Sequence, residues 1–175
     1  MNLKMDIFVE QLIKRKRRPS DFVKVGLCIV GGTVTVLLTF ISLRFMGGLA
    51  ALLGAGLIYL LYNLYISTNV EFEYCFTNGS LDIDKIIAAK RRKRLTELSA
   101  REIEMMGTTK NRAFNGYMQN GDIKKIYACT SIKDDGVYFV VYERGGVRNM
   151  LLFNPNDTIK DGFRRLNPQK VFLND

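Results

Sequence analysis

The chain has 175 residues, 47% of them apolar and 25% charged, with a formal net charge of +9 at pH 7. This composition excludes global disorder and fits one ordinary domain with a small remainder. Histidine is absent, which removes the usual general base near neutral pH and the commonest metal ligand.

Charge is spread very unevenly. Val25 to Val70 contains one charged residue, Arg44, and the other 129 residues carry the remaining 42 charges. That pattern reads as a membrane protein with a soluble part.

In chain order, Met5, Phe8, Val9, Leu12 and Ile13 recur at helical spacing, followed by Lys14, Arg15, Lys16, Arg17 and Arg18 before Pro19. Residues 1–20 are therefore expected to form an amphipathic basic segment, a short interfacial helix whose basic end lies on anionic lipid. The apolar tract from Val25 to Ile66 follows. As one helix it would be about 63 Å long, against a hydrocarbon core of about 30 Å. Two spans resolve the excess, with the reversal at Arg44-Phe45-Met46-Gly47-Gly48. The expected transmembrane hairpin covers residues 21–67, with spans from Asp21 to Leu43 and Gly48 to Ser67. A cleaved signal peptide fits poorly, because the first run is too long and a second follows at once.

Lys4, the Lys14–Arg18 run and Lys24 flank the first span, whereas the hairpin turn holds only Arg44. The positive-inside rule places both termini in the cytoplasm of a multi-pass plasma-membrane protein. Gly26, Gly31, Gly32 and Thr35 in the first span, with Gly47, Ala51 and Ala55 or Ala50 and Gly54 in the second, have the spacing of close helix approach. Packing of one span on the other explains it; a homo-oligomeric seam is the alternative. The apolar tract contains no acid, so a proton relay has nothing to work with.

Residues 70–175 read as a cytoplasmic domain. Val70, Phe72, Tyr74 and Phe76 alternate with polar residues, and Asn78-Gly79 supplies a hairpin turn into a strand bearing Leu81 and Ile83. A second turn is expected at Lys90-Arg91-Arg92-Lys93-Arg94, then a strand through Leu95 and Leu98. Ser99 and Glu102 have capping-box spacing ahead of a short helical stretch to Met106. Residues 107–122 read mostly as loop. Ile123–Thr130, Val137–Glu143 and Val147–Phe153 read as strands, the last two joined at Gly145-Gly146. A closing helix is expected with Asn154 as N-cap, Pro155 at its first position, a stripe of Ile159, Phe163 and Leu166, and Asn167-Pro168 as its stop. The fold class is thus a membrane α-helical hairpin plus an α+β domain. The domain is expected as an antiparallel curved sheet or partly open barrel closed by a C-terminal helix.

The two spans, the sheet beginning Thr77-Asn78-Gly79-Ser80-Leu81-Asp82-Ile83, the basic turn and the helix after Phe153-Asn154-Pro155 resemble bacterial PH-like (pleckstrin-homology-like) membrane proteins. Val9–Asp21 and Val70–Arg94 are similar to an uncharacterised family of small Firmicutes two-span proteins. The resemblance implies a PH-like fold. Two departures separate the chain from phosphoinositide-binding members: the first hairpin turn is Asn78-Gly79 rather than a basic loop, and there is no tryptophan.

No catalytic or metal-binding set emerges, and no cofactor is expected. Asp82 with Asp84 and Asp134-Asp135 are the closest acid pairs, without further ligands; no phosphate loop or nucleophile–base pair is present. Cys28, Cys75 and Cys129 form no CxxC pair and read as reduced thiols. The candidate lipid-headgroup contacts are Lys14, Arg15, Lys16, Arg17, Arg18, Lys90, Arg91, Arg92, Lys93 and Arg94. The expectation is a non-enzymatic membrane protein presenting an interaction or scaffold domain, oriented on anionic lipid and engaging a protein partner or its own copy. An anionic-lipid sensor is the alternative. Nucleic-acid binding ranks below both, since five bases without interleaved aromatics are a weak footprint, and no small-molecule substrate is expected.

Overall fold

The computed structural model describes residues 8–173, which form two compact units. One comprises residues 17–70 and 87–91, and the other is β-rich. Met5 and Lys4 lie outside the described residues.

The helical unit is built on α1 (Pro19–Met46) and α2 (Gly48–Ile66), reversed at Gly47. Gly47 has φ 57° and ψ −135°, a backbone region that a side chain would strain. Arg18 N–H donates to Asp21 Oδ2 at 2.9 Å, closing the first turn of α1. The two helices meet along small residues. Thr35, Ala50 and Gly54 are buried, and a Cβ on Gly54 would lie 2.3 Å from Thr39 Oγ1. Thr35 and Thr39 return their hydroxyls to the carbonyls of Gly31 and Thr35, so neither hydroxyl is stranded in the seam. Of the two small-residue rows in the second span, the Ala50/Gly54 row is the one that packs, while Ala51 and Ala55 are exposed. Away from the seam the helices are bare: Phe22, Leu27, Phe40 and Leu52 are all more than 60% exposed. Both helices are long and apolar enough to cross a membrane.

The β-rich unit contains two four-stranded sheets. The first has the order β1 (Phe8–Lys14), β2 (Val70–Thr77), β3 (Ser80–Ile87), β4 (Arg91–Ser99). The second runs β5 (Ile103–Thr108), β7 (Tyr138–Arg144), β8 (Val147–Phe153), β6 (Lys124–Ala128). The inward faces of β2, β3, β7 and β8 bury Phe72, Tyr74, Phe76, Leu81, Ile83, Phe139, Val141 and Leu152. Tyr74 crosses this core: its hydroxyl donates to the Ala128 carbonyl and accepts from Asn154 N–H at 3.2 Å. Burial pushes the Tyr74 phenol well above its ordinary pKa, which keeps it a donor. α4 (Asp157–Leu166) packs on this core, with Phe163 5.5 Å from Phe76 and 6.3 Å from Phe153 between ring centroids.

Five local expectations are corrected. Phe8–Lys14 is a strand, not an interfacial helix: the same apolar positions satisfy a two-residue period, and β1 pairs antiparallel with β2 from Phe8↔Thr77 to Lys14↔Glu71. Ser99 and Glu102 cap no helix. Their backbones bond to each other in a turn (3.1 Å), and β5 follows with Ile103 and Met106 buried. The stretch taken as loop holds α3 (Arg112–Gln119), capped by Asn111 and seating Phe114 and Tyr117 on Phe139. The N-cap of α4 is Asn156, whose side chain accepts from Ile159 N–H at 2.9 Å. Asn154 instead ties the Thr130 and Gly136 backbones together. Finally, β6 pairs with β8 in parallel, so the second sheet is mixed rather than wholly antiparallel.

Candidate functional site

The basic residues divide into a compensated set and a solvent-facing set. The run expected at a hairpin tip begins after the turn, which lies at Ala88-Ala89 with Lys90 N–H donating to Ile87 O at 3.1 Å. Arg91–Arg94 therefore form the start of β4. Paired strands bring Arg92 and Arg94 to acids of β2 and β3. Arg92 pairs with Glu73 and reaches Asp84 at 3.9 Å, and Arg94 contacts Asp84 at 2.5 Å and Asp82 at 3.1 Å. The hydrogen bond to Asp84 raises the Arg94 pKa further. Among the described residues Lys90, Arg91 and Lys93 make no ion pair, and all three are exposed.

Glu73 is the unusual member of this face. It is 6% exposed, and burial raises its pKa, with a hydrogen bond shared with Glu10 adding to the effect and Arg92 opposing it. Cys75, between these carboxylates, is also raised, first by burial and then by Glu73, so it is a poor nucleophile.

The N-terminal run is divided in the same way. Lys14 ends β1, Arg15 is half-buried, and Lys16 anchors the chain through its N–H to Thr130 O (2.9 Å) and its ammonium to Asp134 (2.6 Å). That ammonium holds the Asp134 carboxyl below its usual range. Arg17 and Arg18 are exposed at the start of α1. Within the helical unit they share an end with Lys90 and Arg91, because Ala88 N–H donates to Asn69 O (2.8 Å) just beyond α2. Arg17, Arg18, Lys24, Lys90 and Arg91 thus form a basic collar at one end of the hairpin. Tyr59, Tyr62 and Tyr65, each more than 40% exposed, lie in the last two turns of α2 at the same end. Their spacing of three is legible in the sequence.

A shallow cleft of about 180 Å³ lies between β4 and β7, lined by Ser80, Glu97, Ser99, Glu102, Tyr142 and Arg144. Two of its polar groups are already engaged: Tyr142 shares a hydrogen bond with Thr96, and Arg144 binds Glu97 at 3.3 Å. Among the described residues no group of His, Cys, Asp or Glu is arranged to hold a metal ion.

No curated protein and no solved structure matches the chain. A family model does, described as the bacterial PH-like domain (DUF6106), over residues 5–173. The match takes in β1, both apolar helices and the whole β-rich unit, and by it the chain belongs to the bacterial PH-like domain family.

Proposed function

We propose that the protein is a non-enzymatic integral membrane protein with two spans and both termini in the cytoplasm. It presents its PH-like domain as an interaction scaffold at the inner face of the plasma membrane. The observation that carries this reading is the polarity of the helical unit. Its flanks are bare and apolar, and its bases gather at the end where the chain enters and leaves the hairpin. Water gives such a surface no stable state, whereas a bilayer solvates the flanks and its anionic headgroups attract the collar, each base contributing on the order of 1 kcal/mol.

The headgroup contacts are Arg17, Arg18, Lys24, Lys90 and Arg91. Arg92, Arg94 and Lys16 are already matched by carboxylates of the domain, and a phosphate would have to displace those acids. Three residues, Ser67 to Asn69, connect α2 to β2, a leash of roughly 10 Å that keeps the domain at the bilayer surface. With anchoring complete through the spans, lipid contact orients the domain rather than recruiting it.

The test is impermeant maleimide labelling of intact cells, using single cysteines at Phe45 and Val147, which are 82% and 49% exposed. Phe45→Cys is expected to label and Val147→Cys to label only after permeabilisation. Labelling of Val147→Cys from outside overturns the topology. In nanodiscs containing phosphatidylglycerol, Arg17→Gln/Lys90→Gln/Arg91→Gln is expected to retain fewer anionic lipids than the native chain; equal retention removes the collar's role.

A further inference from the structure

The four edges of the two sheets are not treated alike. The free edge of β5 is covered by the C-terminal segment: Met106 exchanges hydrogen bonds with Lys170 and Phe172, each 2.8 Å. β4 opens with four consecutive exposed bases, and the five-residue β6 carries Lys124 and Lys125, the charged blunting that discourages strand addition. β1 differs from these: its exposed charges, Glu10 and Lys14, are of opposite sign rather than a block of one sign, and its contact beyond the sheet is made by the Gln11 side chain with the Asn154 and Asn156 backbones. It is seven residues long, contains no proline, and pairs only with β2 among the described residues. Its outward row is Phe8, Glu10, Leu12 and Lys14, with Phe8 66% and Leu12 58% exposed.

We propose that the β1 edge is a self-association site, pairing antiparallel with β1 of a second copy of this chain across a two-fold axis at Leu12. The inference rests on the scaffold reading and names the surface that it uses. The choice of occupant follows from charge. In this register Leu12 faces the partner's Leu12, and on either side Glu10 faces the partner's Lys14. The strand is acidic at its middle, where Glu10 adjoins Glu73, and basic at its end, where Lys14 precedes Arg15 and Lys16. Antiparallel pairing sets the basic end of one copy against the acidic middle of the other, twice by symmetry. The incoming ammonium also relieves the crowding of the Glu10 and Glu73 carboxylates. The two copies join their first sheets into one eight-stranded sheet and enclose the exposed leucines.

The test uses the full chain in liposomes. Leu12→Cys is expected to give a covalent dimer under mild oxidation, since directly opposed positions bring Cβ atoms within disulfide reach, whereas Val147→Cys is expected to give none. Independently, energy transfer between labelled copies reads association while leaving Leu12 intact. Glu10→Lys and Lys14→Glu are each expected to weaken it about tenfold by placing like charges opposite, and the double reversal is expected to restore it. A double reversal as weak as the singles overturns the register. Association that persists without cross-linking at position 12 overturns the β1 edge and leaves the scaffold reading standing. A chain that is monomeric at every protein-to-lipid ratio overturns self-association, while the labelling of Phe45 and Val147 still decides the topology by itself.

Discussion

Phe40 on α1 is 72% exposed, and Phe163 on α4 is fully buried between Phe76 and Phe153. The same side chain has two solvents in one molecule. The β-rich unit encloses its own apolar surface, so each ring there is held by specific neighbours. The helical unit encloses only a narrow seam of Thr35, Ala50 and Gly54 and leaves the remainder to its surroundings. Stability in the first unit therefore comes from shape, and in the second from the medium. The largest expected effect breaks this contrast directly. Phe163→Ala should destabilise the β-rich unit by about 3–5 kcal/mol, whereas Phe40→Ala in detergent micelles should change stability by less than about 0.5 kcal/mol. Thermal unfolding of the solubilised chain checks both, and comparable losses would mean that Phe40 is packed after all.

Glycines sharpen the comparison at half that size. A Cβ on Gly162 would sit 2.4 Å from Phe76 Cε1, while Gly32 has nothing within 4 Å. Alanine is the better helix former at both sites by about 1 kcal/mol. Packing reverses that preference at one of them. Gly162→Ala should cost about 1–3 kcal/mol by pushing α4 off the sheet, and Gly32→Ala, with open space around it, should stabilise by up to about 1 kcal/mol. Gly162, which propensity alone reads as a weak point in the helix, is the residue that permits the Phe76–Phe163 contact.

The parts of the fold legible in the sequence were those fixed by local chemistry. The helical reversal sits at Gly47, the Asn78-Gly79 and Gly145-Gly146 turns are where the residues ask for them, and the Ile159/Phe163 stripe faces the core. Elements that depend on a distant partner were misread. Phe8–Lys14 carries a spacing compatible with either period, and only the edge of β2, a distant part of the chain, decides for a strand. Asn154 and Asn156 are both good caps; the demands of Thr130 and Gly136 draw Asn154 away and leave the helix to Asn156. The basic run was visible as charge, yet whether a base faces solvent or a carboxylate was set by strand pairing. Arg92 and Arg94 differ from Lys90 and Arg91 in that alone.

A smaller effect separates the compensated charges from the solvent-facing ones. Glu73 has a pKa raised by burial and by Glu10, despite Arg92 beside it. A carboxyl with a raised folded-state pKa binds its proton more tightly in the folded chain, so stability falls as pH rises from the unfolded value through the folded one. Glu73→Gln should therefore raise the unfolding midpoint at pH 7, and the gain should vanish once the pH drops below the model-peptide carboxylate range. Glu104 has the opposite sign. Arg148 holds its pKa low, so its contribution is present at neutral pH and is lost as pH falls through that lowered value. Glu104→Gln should lower the midpoint at pH 7. Melting curves across pH 4 to pH 8 distinguish the two, and a shared direction would contradict the burial of Glu73.

The smallest expected effect compares two turns. Asn78-Gly79 joins β2 to β3 with φ of 51° and 95°, using the residues that tolerate such angles. Ala88-Ala89 joins β3 to β4 with φ of 55° and 53°, a conformation alanine disfavours. The second turn is imposed by its surroundings: Ala88 N–H donates to Asn69 O at 2.8 Å, and Lys90 N–H returns to Ile87 O at 3.1 Å. These bonds fix the chain between α2 and the basic collar in a shape its own residues would not choose. Ala89→Gly should relax it and raise stability by about 0.5–1 kcal/mol, partly offset by the greater freedom glycine gives the unfolded chain. Asn78→Ala at the favourable turn should lower stability by a similar amount. If Ala89→Gly instead destabilises the chain while Asn78→Ala does nothing, the Ala88-Ala89 turn is not left-handed, and the position of Lys90 and Arg91 at the hairpin end falls with it.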